Sequence, residues 1–263
     1  MENQGLAMTT LLILEGNPSE LVSKGMSDAI PFVSSFTALD PSIRLSLANP
    51  YADAISEEEI AAVDGVVFTG SGTEWAADAP EAEPQRVAMR SVFAQGKPVW
   101  GSCNGMQVAA VVLGGRVGAS PKGAERGMAR DVTVTKEGRS HALMAGKGAS
   151  FASPCTHRDE VQALPEGATL IAGNAHSPVQ AFVYEQDGVD FWGVQYHPEC
   201  GAAEMIQWLS PRGAECAEIV QNFATAETDA DAAARLGTSP KELALDERAR
   251  ELRNWLEHVK ART

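Results

Sequence analysis

Between Thr9 and about Leu113, short β-branched and aliphatic runs alternate with stretches of helical periodicity, and no other feature of the chain constrains its fold as strongly. TLLILEG, IRLSLANP, GVVFTGS and PVWGSC read as strands, and the segments between them read as helices. Apolar runs of this kind suit strands covered on both faces, which predicts an α/β fold with a mostly parallel central sheet flanked by helices. Asn17-Pro18-Ser19-Glu20 reads as a helix cap followed by proline at an early helical position, where its missing N–H costs nothing.

The pattern changes after Gly114. DVTVT, ATLIAG, VQAFVYE and DFWGVQYH are strand-like and separated by Gly, Pro and Asp turns, with EQDG a hairpin signal. These strands are expected to extend the sheet and to bring Tyr196 and His197 to its edge. From Ala202 onward helix dominates, and Leu245, Ala249, Leu252, Leu256 and Val259 recur at helical spacing. We therefore expect an α/β domain over residues 9–226 and a helical C-terminal extension over 227–263, whose apolar stripe covers its own core or a partner.

Composition removes several classes of function. With 263 residues, 44% of them hydrophobic and 21% charged, the chain can bury a large core and does not read as disordered. Asp and Glu outnumber Lys and Arg by 35 to 21, for a net charge of -14, so phosphate backbones and anionic membranes are unlikely partners. No apolar run approaches the roughly 20 residues that span a bilayer, the opening MENQGLAMTTLLILEG lacks a signal peptide's basic flank, and Met8 is an alternative start. Four scattered cysteines, Cys103, Cys155, Cys200 and Cys216, do not make a disulfide scaffold and fit a reducing cytoplasm.

The most informative stretch is Lys97-Pro-Val-Trp-Gly-Ser-Cys-Asn-Gly-Met-Gln107. A strand is expected to end at Trp100, and a helix with Met106, Ala109, Ala110 and Leu113 on its apolar face begins just after Cys103. Gly101 and Gly105 flank the cysteine as G-x-C-x-G, the cysteine counterpart of a nucleophile elbow. The helix N-terminus favours negative charge at that point, and the backbone N–H of Asn104 is placed to meet an oxyanion. A buried structural cysteine in a tight turn would give the same local pattern, so a base must be sought elsewhere.

Trp192-Gly-Val-Gln-Tyr-His-Pro-Glu199 supplies one. On an extended backbone residues i and i+2 share a face, so His197 and Glu199 are expected to line one cleft with Pro198 turned away. His197 can take the thiol proton, while Glu199 fixes the imidazole tautomer and stabilises the imidazolium. His141, His157, His176 and His258 have no companion at such spacing. Neither Cys155-x-His157 nor His197 with Cys200 forms the clustered pattern of a zinc site, so no metal and no cofactor is expected.

Taken together, GSCNGMQ, the downstream YHPE and the upstream FTGSGTEW closely resemble class I glutamine amidotransferase domains, over about Thr9 to Phe223. The resemblance implies a flavodoxin-like α/β fold, with Cys103 as nucleophile, His197 as general base and acid, and Glu199 as the orienting carboxylate. It also implies an oxyanion hole from the backbone N–H groups of Ser71 and Asn104. Gly70, Gly72, Gln107 and the backbone around Arg158 and Asp159 would hold the γ-glutamyl substrate. CTHRDEVQALPEGATLIAGN is similar to the segment before the final strands in standalone members that resemble the amidotransferase part of GMP synthase.

The sequence departs from that family in four places. Ser71-Gly72 replaces a frequent Gly-Pro, and Asn104 stands where many members carry a bulky residue. No synthase domain follows, and the helical tail exceeds the minimal domain. The implied reaction is hydrolysis of a γ-glutamyl amide through a glutamyl thioester, either of glutamine, with ammonia passed to a separate synthase subunit, or of an N-substituted γ-glutamyl amide that releases a larger amine. A second copy of the chain is a further candidate partner. Two competing readings are a catalytically silent binding or regulatory subunit, which would not require all three triad residues, and a redox or chaperone-like α/β protein, which would not require His197 with Glu199.

Overall fold

A computed structural model describes residues 8–262. Residues 1–7 of the opening segment read above for a signal peptide therefore lie outside the described residues. The first half of the chain runs β1 (Thr10–Leu14), α1 (Ser19–Ser23), α2 (Ile30–Leu39), β2 (Arg44–Ala48), α3 (Glu57–Ala61), β3 (Gly65–Phe68), α4 (Glu83–Ala94), β4 (Pro98–Ser102) and α5 (Asn104–Val112). It continues through β5 (Arg116–Ala119), β6 (Glu125–Val134), α6 (Lys136–Ser140), β7 (Ser150–His157), β8 (Asp159–Ala163), β9 (Thr169–Gly173), β10 (Ala181–Tyr184) and β11 (Asp190–Val194). The remainder is helical: α7 (Ala202–Leu209), α8 (Ala217–Phe223), α9 (Ala230–Leu236), α10 (Pro240–Leu243), α11 (Leu245–Arg248) and α12 (Arg250–Lys260).

Nine strands form one sheet in the order β2-β1-β3-β4-β11-β10-β9-β6-β7, and β5 pairs with β8 beside it. Pairing is parallel from β2 through β11 and antiparallel beyond. Alternation along β1 shows how the sheet is buried on both sides. Leu11 and Ile13 join one core with Phe32, Phe36, Val67, Trp100 and Trp192, whereas Leu12 and Leu14 join the opposite core with Phe68, Val99, Met106 and Val108. Helix α5 therefore covers one face, and α2 the other.

Helix α12 belongs to that second face. Ala249, Leu252, Leu256 and Val259, the stripe read from the sequence, are buried against the sheet, and Trp255 sits between Phe36 and Trp100 with ring centroids at 6.0 and 6.2 Å. The apolar stripe thus covers the core of the main sheet. Close by, the buried Glu251 carboxylate accepts from Tyr196 Oη at 2.8 Å and pairs with Lys147 at 2.9 Å.

Three local expectations are corrected. Pro18 is the residue before α1, with its own carbonyl accepting from Leu21 and Val22; Asn17 makes no cap and its side chain turns to the loop after β3. β11 lies in the middle of the sheet beside β4, not at an edge, and Tyr196 beyond it is fully buried. His197, Pro198 and Glu199 follow that strand in a turn rather than on extended backbone, with Cys200 N–H donating to the His197 carbonyl at 3.1 Å. The EQDG turn does join β10 to β11, with Asp187 and Gly188 at φ 54° and 80°, the left-handed region that such hairpins demand.

Candidate active site

β4 ends at Ser102 and α5 starts at Asn104, so Cys103 alone makes the turn between them. Its φ of 50° with ψ of -106° is a conformation that L residues rarely adopt and that costs on the order of 1–3 kcal/mol. The surroundings hold it there. Cys103 N–H donates to the Val194 carbonyl at 2.8 Å, and Gly105 N–H to the Thr69 carbonyl at 3.0 Å, tying the turn to both neighbouring strands. A Cβ on Gly105 would run into the Phe68 carbonyl and one on Gly101 into the Gly105 backbone, so both glycines are steric requirements of the close approach.

The sulfur of Cys103 is nearly enclosed, at 6% exposure, and its thiol donates to the Thr156 carbonyl over 3.8 Å. Beside it stands the imidazole of His197, whose Nδ1 is 2.7 Å from Glu199 Oε1. Burial opposes a charge on this ring, but the Glu199 carboxylate and hydrogen bonding with Cys103, Cys200 and Glu199 outweigh it, raising the histidine well above its ordinary range. Among the described residues no well-aligned partner closes on His197 Nε2, the nitrogen that would exchange a proton with sulfur and substrate.

The histidine turn is pinned from four directions. His197 N–H donates to the Pro154 carbonyl at 2.7 Å, and Ser102 Oγ, itself bonded by Trp100 Nε1 at 2.9 Å, donates to Glu199 Oε2 at 3.1 Å. Ser35 Oγ donates to the Glu199 carbonyl at 2.9 Å, and Arg248 reaches the Pro198 carbonyl at 2.8 Å. A carboxylate held on both oxygens cannot swing away from the ring it orients.

The remaining expected residues surround this centre. Gly70 packs against the imidazole, since a Cβ there would lie 3.0 Å from both His197 Cε1 and Asp28 Oδ2. Gly72 N–H is occupied by Asn17 Oδ1 at 2.7 Å, and Ser71 Oγ donates to the same oxygen at 3.2 Å. Among the described residues no acceptor takes the backbone N–H of Ser71 or Asn104. Gln107 is buried, its amide nitrogen donating to the Asp159 carbonyl at 2.8 Å and to Gln195 Oε1 at 3.1 Å. Arg158 forks onto the Asp159 carboxylate at 2.9 and 2.7 Å and reaches the Glu74 carbonyl at 2.6 Å, linking the β7–β8 corner to the loop that follows β3.

Sequence reasoning missed several side chains here. The sequence marks Asn17 only as a helix cap and marks neither Asp28 nor Trp208 nor Ser102, whose position next to the cysteine is a usable signal. Asp28 is partly buried beside the ring; burial together with Glu15 and Glu199 raises its carboxyl to about 7 against the opposing pull of His197. Trp208 meets the imidazole edge-to-face at 5.0 Å between ring centroids. Asp28 comes from a segment distant in sequence from the motifs, and Trp208 from the helix that follows the Glu199 turn.

Among the described residues donor atoms also approach within 4.8 Å of one another in three groups, Glu125 with Cys155 and His157, His197 with Glu199 and Cys200, and Glu185 with Asp190 and His258. In the first, the Glu125 carboxylate is engaged by His157, Asn174 and Gln180 at 2.9, 2.8 and 2.7 Å, the arrangement of a structural hydrogen-bond network.

Comparison with known proteins agrees with this architecture. The profile of the family described as glutamine amidotransferase class-I matches residues 43–209, more than half of the chain, so the protein belongs to the class I glutamine amidotransferase family. A gamma-glutamyl-L-1-hydroxyisopropylamide hydrolase of Pseudomonas sp is 32% identical over 190 residues, covering 70% of this chain and 64% of that protein. A GMP synthase [glutamine-hydrolyzing] of Symbiobacterium thermophilum is 30% identical over 151 residues, 57% of this chain but 27% of the synthase. The chain thus spans less than two thirds of either relative. A glutamine amidotransferase of Thermotoga maritima shares the fold with a TM-score of 0.68 at 19% identity, over 96% of this chain and 98% of that one.

Proposed function

We propose that the protein hydrolyses γ-glutamyl amides through a glutamyl thioester, with Cys103 as nucleophile, His197 as base and acid, and Glu199 as its orienting partner. The observation that carries this reading is the buried 2.7 Å contact from His197 Nδ1 to Glu199 Oε1 beside a cysteine held at a left-handed strand-to-helix turn. Cys103 yields its proton to His197, and the sulfur attacks the γ-carbonyl carbon. The oxygen gathers negative charge against the backbone N–H groups of Asn104 and Ser71. His197 then delivers the proton to the departing nitrogen, leaving a thioester; water activated by the same ring releases glutamate and regenerates the thiol.

Gly70, Gly72, Gln107, Arg158 and Asp159 shape the glutamyl pocket in this reading. Gln107 acts mainly by bracing the Asp159 carbonyl, consistent with where its amide nitrogen is spent. We treat residues 9–226 as the amidotransferase-like unit and 227–263 as a helical extension that completes the core beneath it. The cellular setting we assign is a reducing cytoplasm, supported by four cysteines that are all free. Among the described residues no helix is long and apolar enough to cross a membrane.

Likeness to a hydrolase of a substituted γ-glutamyl amide favours an N-substituted substrate. A second reading, glutamine hydrolysis with ammonia passed to a separate synthase subunit, draws on the likeness to a GMP synthase. The test is release of glutamate by purified protein from glutamine and from a panel of γ-glutamyl alkyl and aryl amides, with Cys103→Ala as control. Turnover of a substituted amide above glutamine supports the first reading; turnover only with a synthase partner supports the second. Activity that survives Cys103→Ala refutes both.

A further inference from the structure

In the proposed reaction the sulfur of Cys103 binds the γ-carbon, two backbone N–H groups take the oxygen, and the glutamyl chain runs toward Arg158 and Asp159. Only one direction is left for the nitrogen, which must face the ring that protonates it. Any substituent on that nitrogen therefore continues past the imidazole of His197.

The aromatic side chain that packs on this imidazole is Trp208, edge-to-face with His197 at 5.0 Å. Its neighbours on α7, Met205 and Leu209, are fully buried in the core, whereas Trp208 keeps part of its surface open. On the segment before α2, Met26 is 44% exposed, and its methyl lies 3.4 Å from the point where a Gly72 Cβ would stand. These two walls are joined. Gln207 of α7 reaches the Gly25 carbonyl at 3.4 Å, and Asn17 holds the Met26 carbonyl at 2.8 Å while accepting from Gly72 N–H. An indole and a thioether offer dispersion contact to carbon; the indole face also accepts cations, so the likeness to a hydrolase of an uncharged alkylamide decides for the neutral class. Ammonia leaving from glutamine is too small to use either.

Resting on the hydrolase reading above, we infer that Trp208 is a specificity-determining residue that receives the substituent of the leaving amine, and that this substituent is an uncharged alkyl or aryl group. Asp28 is the feature that argues for the opposite class, since its carboxylate flanks the same ring from the Gly70 side and would attract a cationic amine.

The experiment measures kcat/KM of wild type, Trp208→Ala and Trp208→Phe on glutamine, γ-glutamyl isopropylamide, γ-glutamyl anilide and the mono-γ-glutamyl amide of a diamine. Wild type is expected to prefer the isopropylamide or anilide. Trp208→Ala should lower the ratio of substituted amide to glutamine about tenfold, the scale of losing an apolar pocket wall, and Trp208→Phe should restore most of it. An unchanged ratio in Trp208→Ala, or an equal loss on glutamine that marks Trp208 as only bracing the imidazole, overturns the inference. A preference for the diamine amide overturns the assigned amine class. Should Trp208→Ala fail to fold, the exposed Met26→Ala carries the same ratio test. If wild type cleaves no γ-glutamyl amide at all, the hydrolase reading fails and this inference falls with it.

Discussion

Asp28→Asn separates electrostatics from packing beside the candidate base. In the folded chain burial, Glu15 and Glu199 disfavour the charged carboxylate, and His197 opposes them only in part, so Asp28 holds its proton up to about pH 7. In the unfolded chain an aspartate ionises near 3.9. Between these values the native state binds more protons than the unfolded state, so this group's contribution to stability is intact below about pH 4 and is lost as pH rises toward 7. From pH 5 to pH 7 the loss accumulates at about 1.4 kcal/mol per pH unit, or about 2–3 kcal/mol after allowing for coupling to the neighbouring carboxylates and His197. Asparagine keeps the shape without the titration. Urea unfolding of both proteins at pH 5 and pH 8 should therefore show the Asn variant gaining about 2–3 kcal/mol on the wild type as pH rises. A difference that stays constant with pH, or that moves toward wild type as pH rises, would mean that Asp28 ionises normally, and the reasoning would be wrong.

Other perturbations have equally definite outcomes. Glu199→Gln should retain more glutamate release than Cys103→Ala, because Ser102 and the backbone bonds still fix the turn; equal losses in steady-state assays would contradict an orienting role. Gly105→Ala drives a methyl group into the Phe68 carbonyl and should destabilise by about 1–3 kcal/mol in thermal melts while lowering activity further through a displaced Cys103. Trp255→Ala empties the space between Phe36 and Trp100 and should cost about 3–5 kcal/mol in denaturant unfolding.

Local periodicity and short motifs made much of this molecule legible. The alternating runs around β1, β3 and β4 announced a doubly covered sheet because each strand had to bury both faces. Gly101 and Gly105 announced the elbow because only their missing side chains allow the approach. What stayed hidden depended on topology. Nothing near Trp208, Asp28 or Asn17 in the sequence marks them as neighbours of His197; they arrive there because α7 folds back after the Glu199 turn and the segment before α2 crosses the carboxyl end of β1. The extended geometry assumed for His197 and Glu199 was replaced by a turn, yet the two side chains still meet, since Pro154, Ser102, Ser35 and Arg248 dictate where that turn sits.

The burial of α12 under the sheet bears on how the candidate site comes into being. A ribosome that has polymerised the chain through Glu199 has already made every candidate catalytic side chain, but Arg248, which grips the Pro198 carbonyl, and Trp255, which fills the core under Trp100, are still to come. Until those later residues emerge and dock, the histidine turn has lost one of its fastenings and the floor below it is open. Nascent protein should therefore stay inert toward amides until α12 has emerged, and competence should arrive abruptly when that helix settles.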